Sequence, residues 1–176
     1  YTDEEGNPLF EMVRQREGQP YICRQKGYNG EYQFNIKGIP RVPYNLVQVK
    51  GAIKNGKTIF ITEGESKVDT LSELGIVATT VPFKYPNKWK AEYNKYIKGA
   101  TGIIILQDDD QNGIDFANFT FSSLLEDFAE EKIGIMPITS ICPEINKQGA
   151  DITDIRDFMN NDERLKLILD SIAENI

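Results

Sequence analysis

The feature that most constrains the fold is an alternation of short apolar runs with helical patterns, which begins near residue 45. Four runs rich in isoleucine, valine and threonine are typical of buried strands, and segments with apolar residues at helical spacing separate them. Strands that alternate with helices predict a parallel sheet with right-handed crossovers. The predicted strands span residues 58–62, 76–81, 102–106 and 133–138, and the predicted helices span residues 46–54, 66–74, 86–98, 113–131, 153–158 and 162–174.

The first part of the chain has a different pattern. Strand-like runs at residues 9–14, 21–24 and 32–36 are separated by turn-forming glycines. Asn45 is the expected N-cap of the helix that follows. The sequence therefore predicts an α/β fold, in which a small β-rich N-terminal segment (residues 1–50) precedes a Rossmann-like parallel sheet flanked by helices (residues 51–176). A first residue Tyr1 in place of Met is expected of a segment of a longer protein.

The composition restricts the chemistry that a site could use. The 176-residue chain has no histidine and only two cysteines, which excludes Ser-His-Asp catalysis and zinc sites built from imidazole or four thiolates. A metal centre would rest on carboxylates, which favour hard cations such as Mg²⁺ or Mn²⁺. The sparse cysteines favour a reducing cytoplasm. No stretch approaches the roughly 18 apolar residues of a membrane span, so no membrane partner is expected.

The net charge of −7 is unevenly distributed. Residues 1–50 carry a net charge of +1, residues 51–107 carry +3, and residues 108–176 carry −11. The first two thirds are mildly basic, which is compatible with a nucleic-acid partner. A basic, aromatic stretch near residue 90 fits single-strand binding, although a helix whose aromatic side chains pack on the sheet is the favoured interpretation. The candidate nucleic-acid contacts are Lys67, Lys84, Lys88 and Lys90.

Acidic residues follow three of the predicted strands. They are Glu63 and Glu65 after the first strand, Asp108, Asp109 and Asp110 after the third, and Asp151 and Asp154 beyond the fourth. Because the carboxyl ends of parallel strands meet at one edge of a sheet, these carboxylates are expected to lie close together. Such a cluster can hold one or two Mg²⁺ ions, and two ions about 4 Å apart would serve phosphoryl transfer. The alternative is that each carboxylate caps the following helix; three groups in this order favour the cation site.

Two other motifs match part of the sequence but lack a feature that their function requires. Residues 51–58 fit the P-loop pattern G-x-x-x-x-G-K-[ST], but a predicted strand follows them, where a P-loop needs a helix whose N-terminus faces the phosphates. Asp108, Asp110 and Asn112 match the start of an EF-hand loop, but Phe119 occupies the position of the bidentate glutamate. The P-loop is disfavoured and the EF-hand is rejected.

Two segments resemble motifs of the Toprim domain, which occurs in bacterial-type primases, topoisomerases and some nucleases. Residues 59–65, Ile-Phe-Ile-Thr-Glu-Gly-Glu, followed by Asp69, are similar to its first motif. Residues 103–113 are similar to its Asp-x-Asp motif with the trailing Gly113. The resemblance extends over residues 55–158 and implies a Toprim-like sheet.

The resemblance also implies roles for the acidic residues. Glu63 would be the general acid/base or a ligand of a second metal ion, and Asp108 and Asp110 would be the principal Mg²⁺ ligands. Asp151 or Asp154 would complete the site. The residues that would support the motifs are Gly64, Glu65, Asp69, Asp109 and Gly113, with Glu65 and Asp109 in the outer shell of the site.

The N-terminal segment is similar to the β-rich segment before the Toprim core in phage and plasmid primases. The run Pro43-Tyr44-Asn45-Leu46-Val47 resembles a Leu-Tyr-Asn-Leu-Pro-like sequence of those proteins, with valine where proline is expected. The resemblance implies a DNA primase or primase-helicase, a nucleotidyltransferase that makes RNA primers on single-stranded DNA in the cytoplasm of a bacterium or a phage-infected host. Its partners would be template, nucleotides and a helicase domain or subunit. A metal-dependent Toprim nuclease and a non-catalytic DNA-binding Toprim module are the alternatives.

Overall fold

The computed structural model describes residues 1–13, 22–26, 30–82 and 89–176. Four strands form a parallel sheet in the spatial order Ala78–Thr79, Ile59–Ile61, Ile103–Gln107 and Ile133–Pro137. Three strands near the N-terminus form a small antiparallel sheet in chain order. Helices cover both faces of the parallel sheet. The predicted fold class, a helix-flanked parallel sheet with a small β-rich N-terminal segment, is confirmed.

The bounds of the elements are as follows. The strands are β1 Glu11–Val13, β2 Ile22–Lys26, β3 Tyr32–Gln33, β4 Ile59–Ile61, β5 Ala78–Thr79, β6 Ile103–Gln107 and β7 Ile133–Pro137. The helices are α1 Leu46–Lys54, α2 Glu65–Glu73, α3 Asn94–Ile97, α4 Gln111–Leu124, α5 Ile138–Ile141, α6 Ile152–Met159 and α7 Asp162–Glu174. Two short 3₁₀ helices span Ala91–Tyr93 and Glu130–Lys132.

The central strands are apolar throughout because both faces of the sheet are covered. Side chains alternate along a strand, so Phe60 and Ile104 pack on one face, with α2, α6 and α7, while Ile59 and Ile103 pack on the other, with α1, α3 and α4. All four side chains are buried. The parallel register pairs Phe60 with Ile104, which fixes the carboxyl ends of β4 and β6 at the same edge.

Three predicted helix features differ from the structure. The helix predicted over 113–131 is α4, which begins at Gln111 and ends at Leu124, because the chain then turns so that Phe128 packs back on the core. The helix predicted over 86–98 lies partly outside the described residues, and its described part forms only a 3₁₀ turn and α3. Asn45 precedes α1 in a left-handed conformation and makes no side-chain cap; its side-chain amide donates to the Ala78 carbonyl at 3.1 Å instead.

The N-terminal segment is joined to the sheet by an apolar cluster and by hydrogen bonds. Phe10, Val42 and Leu46 are buried together. The Tyr44 amide donates to the Thr80 carbonyl at 2.8 Å, which ties the segment to the end of β5. The proposed division between residues 50 and 51 falls inside α1 and stays a prediction. Among the described residues, no helix has the length and apolarity that a membrane crossing requires.

Candidate functional site

Glu63, Asp108 and Asp151 lie close together at the carboxyl end of the parallel sheet, which we call the acidic edge. Asp108 lies at its centre. It follows β6 directly, so the strand delivers it to the carboxyl end of the sheet, where only 7% of the residue is exposed. Gly113, in the first turn of α4, packs against the Asp108 backbone; a Cβ atom at position 113 would lie 2.5 Å from the Asp108 carbonyl oxygen. A glycine is therefore required there for the helix to begin so close to the buried aspartate.

A lysine occupies the space between two of the carboxylates. The Lys67 ammonium forms an ion pair with Asp108 Oδ2 and lies 3.6 Å from Asp151 Oδ2. Lys67 sits in the first turn of α2, which starts after Gly64, a residue with φ of 90°. A left-handed conformation of this kind favours glycine and turns the chain sharply between Glu63 and the helix. One positive charge is thus shared by two carboxylates from different parts of the chain.

The charge environment of Asp108 combines burial, one lysine and two neighbouring carboxylates. Burial raises the pKa of Asp108 to about 6; Lys67 opposes this rise, and the charges of Asp151 and Glu63 add to it. Its Oδ1 atom is buried and has no hydrogen-bond partner within the described ranges. A buried polar atom without a partner is costly, so this oxygen is available for a ligand.

Two of the acidic residues cap helices, as the alternative interpretation expected. Asp110 Oδ1 accepts from the Gly113 amide at 2.8 Å at the start of α4. Asp151 Oδ1 accepts from the Thr153 amide at 2.8 Å, and Asp154 completes a capping box at the start of α6. Each cap uses one carboxylate oxygen, and the other oxygen of Asp151 faces Lys67. Capping and cation binding are therefore compatible at Asp151.

The loop before α6 reaches the acidic edge through backbone pairing. The Asp109 amide donates to the Ala150 carbonyl at 3.0 Å, and the Gly149 amide donates to the Asp109 carbonyl at 3.0 Å. This pairing extends the end of β6 and brings Asp151 beside Asp108. The Asp109 side chain itself is exposed. Asp154 forms an ion pair with Lys147 on the same loop.

The remaining acidic residues of the first motif face different partners. Glu63 is half-buried at the end of β4, close enough to Asp108 to influence its charge. Glu65 accepts from the Tyr1 hydroxyl at 2.7 Å, and Asp69 accepts from the Tyr44 hydroxyl at 2.9 Å. Glu65 and Asp69 therefore connect α2 to the N-terminal segment.

The donor set fits a magnesium ion held by few protein ligands. Among the residues that the structure describes, no three Asp, Glu, Cys or His side chains form a group that could hold a metal ion. Asp108 and Asp151 nevertheless share one cation, the Lys67 ammonium, and no described residue is a hydrogen-bond partner of Asp108 Oδ1. Mg²⁺ is commonly bound by one or two carboxylates, with waters and substrate phosphates as further ligands. The two carboxylates are suited to that mode.

The predicted nucleic-acid contacts have different surroundings. Lys84 and Lys88 lie outside the described residues. Lys90 is exposed, 4.0 Å from Glu92. Lys67 points inward to Asp108, a role that the sequence interpretation missed; the available signal was its place in the first turn of the helix that follows Glu63 and Gly64. Among the aromatic residues near position 90, Trp89 and Tyr93 are buried in the core, as the favoured interpretation expects of the aromatic side chains, although neither residue lies in an α-helix.

Comparison with known proteins supports the fold assignment. No protein-family model and no curated protein matches the chain. Among solved structures, the mixed α/β fold is similar to that of a phage primase fragment. The chain is similar to the crystal structure of the primase fragment of the bacteriophage T7 primase-helicase protein, with a TM-score of 0.55 and 16% identity over 96% of this chain. It spans 60% of the length of that chain, and the similarity at this identity shows a shared fold.

Proposed function

We propose that the chain is the Toprim-type catalytic core of a DNA primase, which joins ribonucleotides into RNA primers on single-stranded DNA. The observation that carries this proposal is the buried Asp108 at the carboxyl edge of the parallel sheet, beside Asp151 and Glu63. One of its oxygens has no hydrogen-bond partner in the part of the chain that the structure describes. The fold shared with a phage primase fragment supports it. The nucleotidyltransferase activity would be that of a primase or primase-helicase, with a helicase domain or subunit as its partner.

The residues at the acidic edge would have two roles, cation binding and proton transfer. Asp108 and Asp151 would hold the cation, and Asp110, at the start of α4, is the further candidate ligand that the Toprim motif implies. Bound Mg²⁺ would supply positive charge to the reacting phosphates. Glu63 is half-buried at the end of β4, and it would take the proton from the attacking primer 3′-hydroxyl. This oxygen would form a bond to the α-phosphorus of the incoming ribonucleoside triphosphate. The bond between the α-phosphorus and the β-phosphate oxygen would break, and pyrophosphate would leave.

Substitution of Asp108 tests this proposal. Asp108→Asn keeps the shape of the side chain and removes its charge, so primer synthesis with Mg²⁺ or Mn²⁺ should fall by at least about a hundredfold, as expected for loss of a group that stabilises transition-state charge. The measurement is extension of ribonucleotides on single-stranded DNA. Asp157→Asn is the control, because Asp157 is exposed on α6.

The same assay separates the alternatives. Normal synthesis by folded Asp108→Asn would contradict the proposed site. Shortening of the DNA, lost in Asp108→Asn, would identify a metal-dependent nuclease. Retardation of DNA in a gel without metal and without either product would identify a non-catalytic binding module.

A further inference from the structure

Lys67 holds a position that a metal ion would also need. Its ammonium is bonded to Asp108 Oδ2 and lies 3.6 Å from Asp151 Oδ2. The Lys67 side chain is 12% exposed and that of Asp108 is 9% exposed, so water screens this pair weakly. We infer that Lys67 is an internal cation that occupies the divalent-cation position between Asp108 and Asp151 and leaves it when the metal ion binds. This inference rests on the proposed function, because it concerns the cation site of that reaction.

The chemistry of the two cations explains why they exclude each other. An ammonium is a compact point charge with three donors, and it satisfies carboxylate oxygens from many directions. A divalent ion bound to Asp108 Oδ2 would lie in contact distance of the same ammonium, and two positive charges that close repel strongly where water is scarce. Lys67 has a flexible four-carbon stem, so its head group can move while α2 stays in place.

The exchange has a structural consequence for the metal-free protein. Asp108, Asp151 and Glu63 lie at one edge of the sheet, and the charges of Asp151 and Glu63 raise the cost of ionising Asp108. Lys67 neutralises part of this charge when no metal ion is bound. The protein therefore keeps a folded acidic site in the absence of metal, at the cost of weaker metal affinity.

Metal binding by Lys67→Met tests the inference directly. Methionine keeps the length of the apolar stem and removes the charge, so Mn²⁺, followed by calorimetry or by electron paramagnetic resonance, should bind at least about tenfold more tightly than to the wild type. The matched control is Lys57→Met, which makes the same charge change at an exposed residue just before β4, at the opposite edge of the sheet. Its Mn²⁺ affinity should equal that of the wild type. Equal or weaker binding by Lys67→Met would overturn the inference.

A measurement on the wild-type protein covers the case in which Lys67→Met does not fold. Acetylation of lysine amines by a water-soluble active ester, quantified by mass spectrometry with Lys57 as the internal reference, should modify Lys67 slowly without metal. Saturating Mn²⁺ should accelerate modification of Lys67 severalfold, because the ammonium is released from Asp108. Unchanged or slower modification would contradict the exchange.

The outcomes separate this inference from the proposed function. Tighter Mn²⁺ binding and faster acetylation without primer synthesis would support the exchange and contradict the primase. The wild type could bind Mn²⁺ without faster acetylation of Lys67, and Lys67→Met could bind Mn²⁺ no more tightly. Those results together would contradict the exchange alone. Folded proteins that bind no Mn²⁺ at all would contradict both.

Discussion

Gly113 is the residue on which the position of Asp108 depends most directly. Its missing side chain lets the first turn of α4 lie against the Asp108 backbone, where a Cβ atom would come within 2.5 Å of the carbonyl oxygen and 2.8 Å of the amide nitrogen. Contacts this short with backbone cannot be relieved by a rotamer change. A larger residue must therefore shift either the helix or the aspartate.

Gly113→Ala should destabilise the protein by about 1–3 kcal/mol, the usual cost of forcing extra atoms into a packed region. Chemical denaturation measures this cost. Gly51→Ala is the control, since Gly51 also lies in a helix but a Cβ atom there meets nothing within 4 Å. That substitution should stabilise the protein by up to about 1 kcal/mol, because alanine has the higher helix propensity. Equal effects of the two substitutions would show that the close approach at Asp108 is not rigid.

The sequence predicted the position of the acidic residues at one edge of the sheet, but it did not predict their ion pairs with Lys67. Asp108 and Asp151 were expected at one edge because parallel strands end together, and the structure brings them to a common lysine. The pairing of Lys67 with them was not predicted, because the reach of a long side chain depends on how α2 is placed against β6. Helix capping by Asp110 follows a local rule and was anticipated as an alternative.

At the scale of elements, most strands and helices were predicted, whereas the structure of the segment around Trp89 and the short helix α5 were not. The four parallel strands and helices α1, α2, α6 and α7 lie where the apolar pattern placed them. The segment around Trp89 was predicted as one helix, but its indole donates to the Asn94 side chain at 2.8 Å, and Asn94 donates onward to the Ser123 carbonyl. Such tertiary hydrogen bonds override local helix propensity, and a single-sequence pattern does not contain them.

The start of α7 provides a test of an element that the sequence located correctly. The Asn161 side chain accepts from the Arg164 amide at 2.9 Å, which satisfies one of the free donors of the first turn. Asn161→Ala should therefore lower the free energy of unfolding by about 1 kcal/mol. Asn161→Ser keeps a capping oxygen and should cost less than half as much. Thermal or urea denaturation of the three proteins checks the order, and equal loss in both variants would contradict the capping role.

At the scale of the whole molecule, α1 connects the two parts of the chain. Leu46 is buried with Phe10 and Val42 of the N-terminal segment, while Val49 and Ala52, further along the same helix, pack into the core of the parallel sheet. The change of pattern near residue 45 indicated two regions, but it did not show that one helix belongs to both. The packing of α1 favours a single cooperative unit over two independently folding domains.

Leu46→Ala tests this coupling. The Leu46 side chain is 1% exposed, so its truncation should cost about 2–5 kcal/mol, whereas Val47→Ala, at a neighbouring side chain 46% exposed, should change stability by less than about 0.5 kcal/mol. If α1 joins one cooperative unit, Leu46→Ala should shift two signals equally in urea: the fluorescence of the buried Trp89 and the hydrogen-exchange protection of residues 1–45. Loss of protection in residues 1–45 at a lower urea concentration than the Trp89 transition would instead show that the N-terminal segment unfolds by itself. In that case the hydrogen bonds of Glu65 and Asp69 to Tyr1 and Tyr44 would break before the acidic edge itself unfolds.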